Sequence, residues 1–166
     1  MRPTRFPALL LALSLVWLMA GVLAGCIPPS DRRPGLWLSG EETPFPDDWR
    51  FTDAHPEIAL EVRAPLGWRH SVTIWCVAPD GKLYVAARNP DEKNWPSWVA
   101  ARPQVRLLID GALYEAVLER LEDPALIARV GAVYATKYRL DPPASPDAAP
   151  PMRYWRVRPR PAGSRS

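Results

Sequence analysis

Few side chains in this sequence have both the type and the spacing that metal or nucleophilic chemistry needs. The chain has two cysteines, Cys26 and Cys76, and two histidines, His55 and His70, and this set lacks the clustered thiols and imidazoles of a zinc site. Nucleophile elbows, dinucleotide-binding glycine patterns, P-loops and Cys-x-x-Cys pairs do not occur. The sequence therefore predicts no metal site, and hydrolase or thiol-redox chemistry has no starting point.

Cys26 closes an N-terminal segment with the layout of a signal peptide. Two arginines precede an apolar run over residues 8–23, and small residues come directly before the cysteine. The Leu-Ala-Gly-Cys stretch at 23–26 resembles the lipobox of bacterial lipoproteins, in which the mature chain begins at the cysteine and its thiol carries diacylglycerol. The resemblance implies a lipid-anchored protein of the bacterial cell envelope that faces the periplasm or the exterior. An ordinary secretory signal and a transmembrane helix are the alternatives.

Removal of the signal peptide has two consequences for the rest of the chain. A lipidated Cys26 cannot pair with Cys76, so we expect no disulfide and interpret Cys76 as a small buried side chain. The formal net charge of +3 falls to +1 without Arg2 and Arg5, and five arginines between positions 153 and 165 leave the remainder at about −4. Such segregated charge argues against a nucleic-acid partner, although the arginine-rich end could contact anionic lipid.

The proline distribution predicts the domain organisation. Many of the 21 prolines fall in connecting segments, which indicates a stiff tether followed by one compact domain. We predict a signal peptide at residues 1–25, a tether at 26–35, a folded domain at 36–160 and a disordered tail at 161–166.

Alternating apolar residues and turn signals predict an α+β fold. Pro79-Asp80-Gly81 and Asp110-Gly111 each connect two apolar runs and are typical of hairpin turns. Apolar residues at helical spacing follow Asp123 and Pro124, and a shorter helix is expected over 94–102. Residues 72–78 are apolar on both faces, which favours a closed or half-closed barrel. The predicted strands are 57–63, 70–78, 82–87, 104–109, 112–119 and 152–157.

Four stretches of the domain resemble one known family. They are His-Ser-Val-Thr-Ile-Trp at 70–75, Gly-Lys-Leu-Tyr-Val-Ala at 81–86, Lys-Asn-Trp-Pro-Ser-Trp-Val-Ala-Ala-Arg-Pro-Gln-Val-Arg-Leu at 93–107 and Asp-Gly-Ala-Leu-Tyr-Glu-Ala at 110–116. In these stretches the chain is similar to the split β-barrel family of flavin-binding proteins, which includes pyridoxamine-phosphate oxidases, flavin reductases and deazaflavin-dependent nitroreductases. The resemblance implies an antiparallel split β-barrel with two helices.

The same resemblance implies a homodimer that binds FMN or a related flavin or deazaflavin in the dimer groove. Basic and hydroxyl side chains can satisfy a phosphate dianion by charge-assisted hydrogen bonds, and the start of the short helix adds partial positive charge. Trp95 or Trp98 would then lie beside the flavin ring. Carried over by position, the phosphate-binding residues are His70, Ser71 and Thr73 on a strand, and Arg88, Asn89 and Lys93 in the loop before the short helix.

Two departures from the family pattern keep a second hypothesis open. Family members often carry Arg or Lys where His70 stands, and the carboxylates of Asp91 and Glu92 lie beside the proposed phosphate site. One hypothesis is a membrane-anchored lipoprotein that binds a flavin-type cofactor for redox chemistry. The alternative is a non-catalytic lipoprotein that uses the barrel as a binding or assembly scaffold.

Overall fold

The computed structural model describes residue 35, residues 37–142 and residues 149–161. The predicted signal peptide, Cys26, most of the predicted tether and residues 162–166 of the predicted tail lie outside the described residues. Within the described ranges, no helix has both the length and the apolar character needed to span a bilayer.

The described residues form eight strands and two α-helices in the predicted order. The predicted strand 70–78 is divided at Trp75 into two strands, and a two-residue strand precedes the predicted set. The elements are β1 (Glu41–Glu42), β2 (Ile58–Arg63), β3 (Arg69–Ile74), β4 (Cys76–Val77), β5 (Tyr84–Arg88), α1 (Asn94–Ala101), β6 (Gln104–Ile109), β7 (Ala112–Arg120), α2 (Pro124–Tyr138) and β8 (Met152–Pro159).

The turns and helix ends form where the local sequence predicts them. Asp110 and Gly111, at φ 49° and 82°, are both left-handed, which is the backbone that a tight hairpin between β6 and β7 requires. The side chain of Asp123 accepts a hydrogen bond from the backbone N–H of Ala125 at 2.9 Å and caps α2. Arg139 caps the C-terminus of α2 with a left-handed backbone. Its N–H is directed to the carbonyls of the last helical turn.

The strands form one curled sheet in the order β3-β2-β6-β7-β8-β5-β4. All of these pairings are antiparallel, and β1 adds to β7 in parallel. The two edge strands, β3 and β4, are consecutive in the chain, and β3 also contacts β5. The sheet therefore curls back on itself without closing into a complete ladder, and the predicted α+β split barrel is confirmed.

The inner face of the barrel is filled with side chains. Alternate residues of β2, β3, β5, β6, β7 and β8 meet there, and α1 contributes Trp95 and Val99 to the same cluster. Trp49 is also part of it and contacts the rings of Phe45 and Tyr114. Because this interior is packed, a flavin-sized ligand has to bind on the outside of the barrel.

Two different segments cover the outer face of the sheet. Helix α2 lies over β4, β5 and β8 and buries Val130 and Tyr134 against them. We call residue 35 and residues 37–42 the strap. Leu38 of the strap is 1% exposed and packs on Ala59, Leu108 and Leu113 of β2, β6 and β7.

One sequence expectation about this outer face was wrong. The alternation of Glu61 and Arg63 with Ile58, Leu60 and Val62 predicts that Glu61 faces water, yet it is only 4% exposed. The strap covers it, and Arg106 of β6 lies opposite in the strand register. A charged side chain at an outward position is therefore buried by a segment remote in sequence.

Candidate functional site

The strand β3 separates the first group of predicted phosphate-binding residues. Successive strand side chains point to opposite faces, and Val72 and Ile74 lie in the barrel interior. His70 shares their face and contacts the ring of Trp98 edge-on, with 5.4 Å between the ring centroids. Ser71 and Thr73 lie on the outer face. The three residues therefore do not converge on one ligand.

Ser71 is engaged by the strap. Its backbone N–H donates to the carbonyl of Gly35 at 2.7 Å, and its Oγ accepts from the Gly35 N–H at 2.5 Å. The side chain is buried. Its hydroxyl oxygen therefore already takes part in a reciprocal contact and is a poor candidate for a phosphate ligand.

The second predicted group lies between β5 and α1. Arg88 ends β5 with an exposed side chain, and Lys93 is exposed immediately before α1. Asn89 turns the chain with a left-handed backbone at φ 49°, and its Nδ2 donates to Glu92 Oε2 at 3.1 Å. This loop therefore presents two exposed cations, Arg88 and Lys93, on either side of a turn that Asn89 stabilises.

The two carboxylates of this loop both have polar partners. Asp91 accepts from Arg153 at 3.2 Å, and Glu92 accepts from the amide of Asn89. Asp91 is therefore neutralised by a residue of β8. With Arg88, Lys93 and Arg153 against two acids, the loop and its neighbours carry a net positive charge.

We call the gap between β3 and β5, where the sheet does not close, the split, and the strand register relates Thr73 to Arg88 across it. β4 pairs with β5 through Cys76 and Val85 and through Val77 and Tyr84. Continued along β3, the same register sets Thr73 opposite Arg88, and β3 contacts β5. Both residues belong to the outward-facing set, since Val85 and Ala87 point inward. The extended register thus places a hydroxyl and a guanidinium on the outer face, on either side of the split.

The aromatic residue beside this position is Trp75, which sequence reasoning did not select. Trp95 is buried in the interior with its ring 4.8 Å from that of Trp155, so it belongs to the core. Trp75 lies two residues after Thr73 on the outer face and is half-buried, and its ring stacks on Tyr138 at 4.3 Å and 8°. Strand alternation from Thr73 is the sequence signal that identifies it.

Side chains from the end of α2 hold the break between β3 and β4. The Tyr138 hydroxyl accepts from the Cys76 N–H at 2.8 Å, and the Tyr134 hydroxyl lies 3.0 Å from the carbonyl oxygens of Trp75 and Tyr84. Lys137 is in the last turn of α2, where a cation can cap the carbonyls of its own helix, but it donates instead to the carbonyls of Thr52 at 3.1 Å and Cys76 at 2.8 Å. These contacts fix the backbone beneath Trp75.

Cys76 is buried beside this lysine and forms no disulfide. Burial raises the pKa of its thiol, and the charge of Lys137 offsets part of that rise. A thiol with a raised pKa is mostly protonated and weakly nucleophilic. Among the described residues, no group of three or more His, Cys, Asp or Glu side chains is placed to hold a metal ion.

A second polar cluster lies where the strap crosses β2 and β6. Arg106 forms a two-pronged ion pair with Glu61, through Nε to Oε1 at 2.8 Å and Nη2 to Oε2 at 2.6 Å. Leu38 completes it, because its N–H donates to Glu61 at 2.6 Å and its carbonyl accepts from Arg106 at 3.0 Å. Arg69 approaches Glu61 to 3.5 Å. The cluster is fully engaged with the strap and has the character of a structural clamp.

The adjoining cavity is too small for a cofactor. It measures about 20 Å³ and includes Arg160, whose Nε has no hydrogen-bond partner among the described residues. That volume accommodates about one water molecule, which would satisfy the Nε. We take the outer face at the split as the candidate ligand site because Thr73 and Arg88 lie on it, with Lys93 on the loop after β5.

Solved structures of several bacterial proteins have a similar fold. The conserved hypothetical protein Rv2991 from Mycobacterium tuberculosis is 20% identical over 66% of this chain and 76% of its own, with a TM-score of 0.53. A Bacteroides thetaiotaomicron protein classed as a 5-nitroimidazole antibiotic resistance protein is 13% identical, covering 68% and 80% of the two chains, with a TM-score of 0.51.

A third structure carries the name of the family that the sequence resembles. A Listeria innocua protein classed as a pyridoxamine 5'-phosphate oxidase is 17% identical over 64% of this chain and 86% of its own, with a TM-score of 0.50. The predicted resemblance is thereby confirmed for the fold. No curated protein sequence matches this chain. A family model matches residues 52–156, from Thr52 beside Lys137 to Arg156 on β8, and the chain therefore belongs to the family described as "Uncharacterized protein conserved in bacteria (DUF2255)".

Proposed function

We propose that this protein is a lipid-anchored envelope protein that binds a phosphate-bearing flavin, such as FMN or a related deazaflavin, on the outer face of its barrel at the split. The observation that carries the proposal is the strand register, which places Thr73 and Arg88 on the outer face on either side of the split, with Lys93 on the loop after β5. Their side chains are exposed or half-buried, so they are free to contact a ligand from solvent.

The chemistry of these residues fits a phosphate group. Arg88 and Lys93 can donate charge-assisted hydrogen bonds to phosphate oxygens, and the Thr73 hydroxyl can add a neutral one. Lys93 directly precedes α1, so a phosphate held there also meets the unpaired N–H groups of the first helical turn. Arg153 compensates the charge of Asp91, which removes part of the expected repulsion.

The planar part of the ligand would lie towards Trp75. This indole is on the same outer face as Thr73 and is held in place by its stack on Tyr138. A flavin supplies redox chemistry when it is bound, and the residues of this chain bind and orient it. A second copy of the chain would cover the open side of the ring, which is the reason that we include a homodimer in the proposal.

The lipid anchor rests on the sequence around Cys26. Positively charged, apolar and small residues occur in the order of a signal peptide that ends at a cysteine. Incorporation of labelled palmitate into the wild-type protein, and its loss in Cys26→Ser, tests the anchor in cells. An unlabelled wild-type protein would contradict it.

Flavin titration of the mature chain tests the cofactor site. FMN should quench tryptophan fluorescence, and Arg88→Ala or Lys93→Ala should each weaken FMN binding about ten-fold or more, because each change removes a charged hydrogen bond. Riboflavin lacks the phosphate and should bind equally to all three proteins. Lys82→Ala, at an exposed lysine outside the proposed site, is the matched control. Equal FMN affinity in the wild type and both variants would exclude this phosphate site.

A barrel that serves as a scaffold without cofactor is the second candidate. The positions of two predicted site residues favour it. Ser71 is hydrogen-bonded to the strap, and Trp95 is packed in the core. Under this hypothesis neither FMN nor riboflavin quenches the mature chain, and the purified protein has no absorbance in the visible range.

A further inference from the structure

The hairpin between β2 and β3 exposes two large apolar side chains at its tip. Leu66 is 90% exposed and Trp68 is 70% exposed, which makes them the most exposed of the large apolar residues described. The turn itself is ordered by hydrogen bonds, from the Ala64 N–H to the Trp68 carbonyl at 2.7 Å and from the Gly67 N–H to the Ala64 carbonyl at 3.1 Å. The tip is therefore a well-defined turn that exposes a leucine and a tryptophan to solvent.

The backbone at the tip is unusual for the residue that it carries. Leu66 has φ 65°, in the left-handed region that favours glycine, although Gly67 follows at φ 82°. A small polar residue would suit this position better in water. The leucine is thus directed outward by a conformation that its own side chain disfavours.

Two arginines flank the tip at the base of the hairpin. Arg63 and Arg69 are paired across β2 and β3, and Arg63 reaches the Gly67 carbonyl at 3.4 Å. An exposed tryptophan and leucine bounded by arginines is the arrangement of residues at a membrane interface, where aromatic rings enter the headgroup region and arginines meet anionic lipid.

The first described residue of the strap lies on the strand that leads out of this hairpin tip. The strap runs from Gly35, bonded to Ser71, to Gly40, which lies against the β6–β7 turn at Gly111. That turn is at the end of the sheet opposite to the hairpin tip, because β2 and β6 are antiparallel. Gly35, the first described residue of the strap, therefore lies nearer to the tip than Gly40 does.

The length of the preceding segment limits how far the tip can be from the membrane. Gly35 comes nine positions after Cys26 in the sequence. Even a fully extended segment of this length spans only about 30 Å, and Ser71 is about 13 Å along the strand from Gly67. These lengths allow the tip to reach a lipid surface on which Cys26 is anchored.

We infer that the β2–β3 hairpin tip inserts Leu66 and Trp68 into the anionic lipid surface on which the protein is anchored. Arg63 and Arg69 contact the lipid headgroups. The inference rests on the lipid anchor proposed above and is independent of the flavin site. Its consequence is a fixed orientation, in which the barrel stands on the membrane through both the anchor and the tip.

The test couples the mature chain to vesicles through Cys26. Because Cys76 is buried, only the Cys26 thiol reacts with a maleimide-headgroup lipid, and the vesicles also contain phosphatidylglycerol and brominated phosphatidylcholine. Brominated lipid should quench the wild-type tryptophan fluorescence more than that of Trp68→Ser. Uncoupled Cys26→Ser protein should also bind phosphatidylglycerol vesicles at least about ten-fold more tightly than Cys26→Ser/Trp68→Ser.

Matched variants separate the tip from general surface effects. Leu66→Ser should reduce the quenching, whereas Leu140→Ser, at an exposed leucine after α2, should leave it unchanged. Thermal unfolding shows whether both proteins are folded. If they are, equal quenching of the wild type and Trp68→Ser would overturn the inference. The inference would also be overturned if the wild type sediments as a dimer and Trp68→Ser as a monomer, since the tip would then contact a second copy of the chain. Palmitate labelling reports separately on the natural anchor.

Discussion

The two covered halves of the outer sheet face are stabilised in different ways. Over β4, β5 and β8, helix α2 packs apolar and tyrosine side chains, and the tyrosine hydroxyls reach backbone groups at the strand break. Over β2, β6 and β7, a short extended strap relies on one buried leucine and on an ion pair that clamps its backbone. A helix covers enough apolar area to hold itself in place, whereas seven residues of strap need a charged clamp as well.

The largest expected effect comes from breaking that clamp. Glu61→Ala should lower the free energy of unfolding by about 3 kcal/mol or more, because it leaves the Arg106 guanidinium buried without its carboxylate. Urea unfolding followed by circular dichroism measures the change. Glu119→Ala, which removes the partner of half-exposed Arg158, should change the same quantity by less than about 1 kcal/mol. Equal effects of the two replacements would mean that the strap is not held by charge.

A smaller loss is expected from adding one carbon to the strap. A Cβ on Gly40 would lie 2.5 Å from the carbonyl oxygen of Gly111 and 2.7 Å from Leu108 Cδ1. Gly40→Ala should therefore cost about 2 kcal/mol of unfolding free energy, by displacing the strap from the turn. A Cβ on Gly67 meets no atom within 4 Å, so Gly67→Ala should cost only the strain of its left-handed backbone, about 1 kcal/mol. The opposite order in a thermal unfolding series would contradict the close packing at Gly40.

The helix-covered half should respond less to the loss of a single polar group. Tyr134→Phe removes a hydroxyl that lies 3.0 Å from two backbone carbonyls and should cost about 1 kcal/mol. Its ring stays in place, so the apolar packing of α2 is kept. Tyr154→Phe, in the same ring cluster, is the control and should have a smaller effect in chemical denaturation. A Tyr134→Phe variant as stable as wild type would mean that the hydroxyl does not stabilise the break between β3 and β4.

The smallest expected effect is a loss of stability that appears only at alkaline pH. It comes from titrating groups in the half of the sheet that α2 covers. Burial raises the pKa of Cys76 above its ordinary value of 9.0, and burial also raises the pKa values of Tyr134 and Tyr138 above 10.0. The folded state therefore retains protons that the unfolded chain releases. Stability contributed by these groups is complete below about pH 9 and falls as the pH rises further.

Urea unfolding between pH 7 and pH 11 measures this decline. Tyr134→Phe/Tyr138→Phe should lose less stability over the alkaline range than wild type, because two of the titrating groups are gone. An identical decline in both proteins would place the alkaline sensitivity elsewhere. Such a result would leave the covering role of α2 intact and would remove only its tyrosine hydroxyls from the pH dependence.

Local signals explain why most of the fold was predictable. Alternation and the turns at Asp80-Gly81 and Asp110-Gly111 placed the hairpins, and Asp123 with Pro124 marked the start of α2. Glu61 was misassigned because its partners are not local: Arg106 lies 45 residues later, and the covering strap comes before β2. A charged residue at an outward position has the same pattern whether water or another segment covers it.

The candidate site was only partly predictable for a similar reason. A family resemblance transfers residues by position, but it does not state which face of a strand each one occupies. His70 and Ser71 are neighbours in sequence and lie on opposite faces, and Ser71 is further occupied by Gly35. Lys137 shows the same limit, since its carbonyl partners in Thr52 and Cys76 are 85 and 61 residues away.

The strap is synthesised before all the residues that it contacts, which affects when it can fold. A ribosome releases Leu38 before any of its partners exist, because Glu61 follows 23 residues later and Arg106 follows 68 residues later. The parallel pairing of Glu41 must wait longer still, until Ala112 is present. Contacts with such long sequence separation form slowly, since they close large loops. The first described segment to be made is therefore among the last to reach its final place, and the barrel must assemble beneath it first.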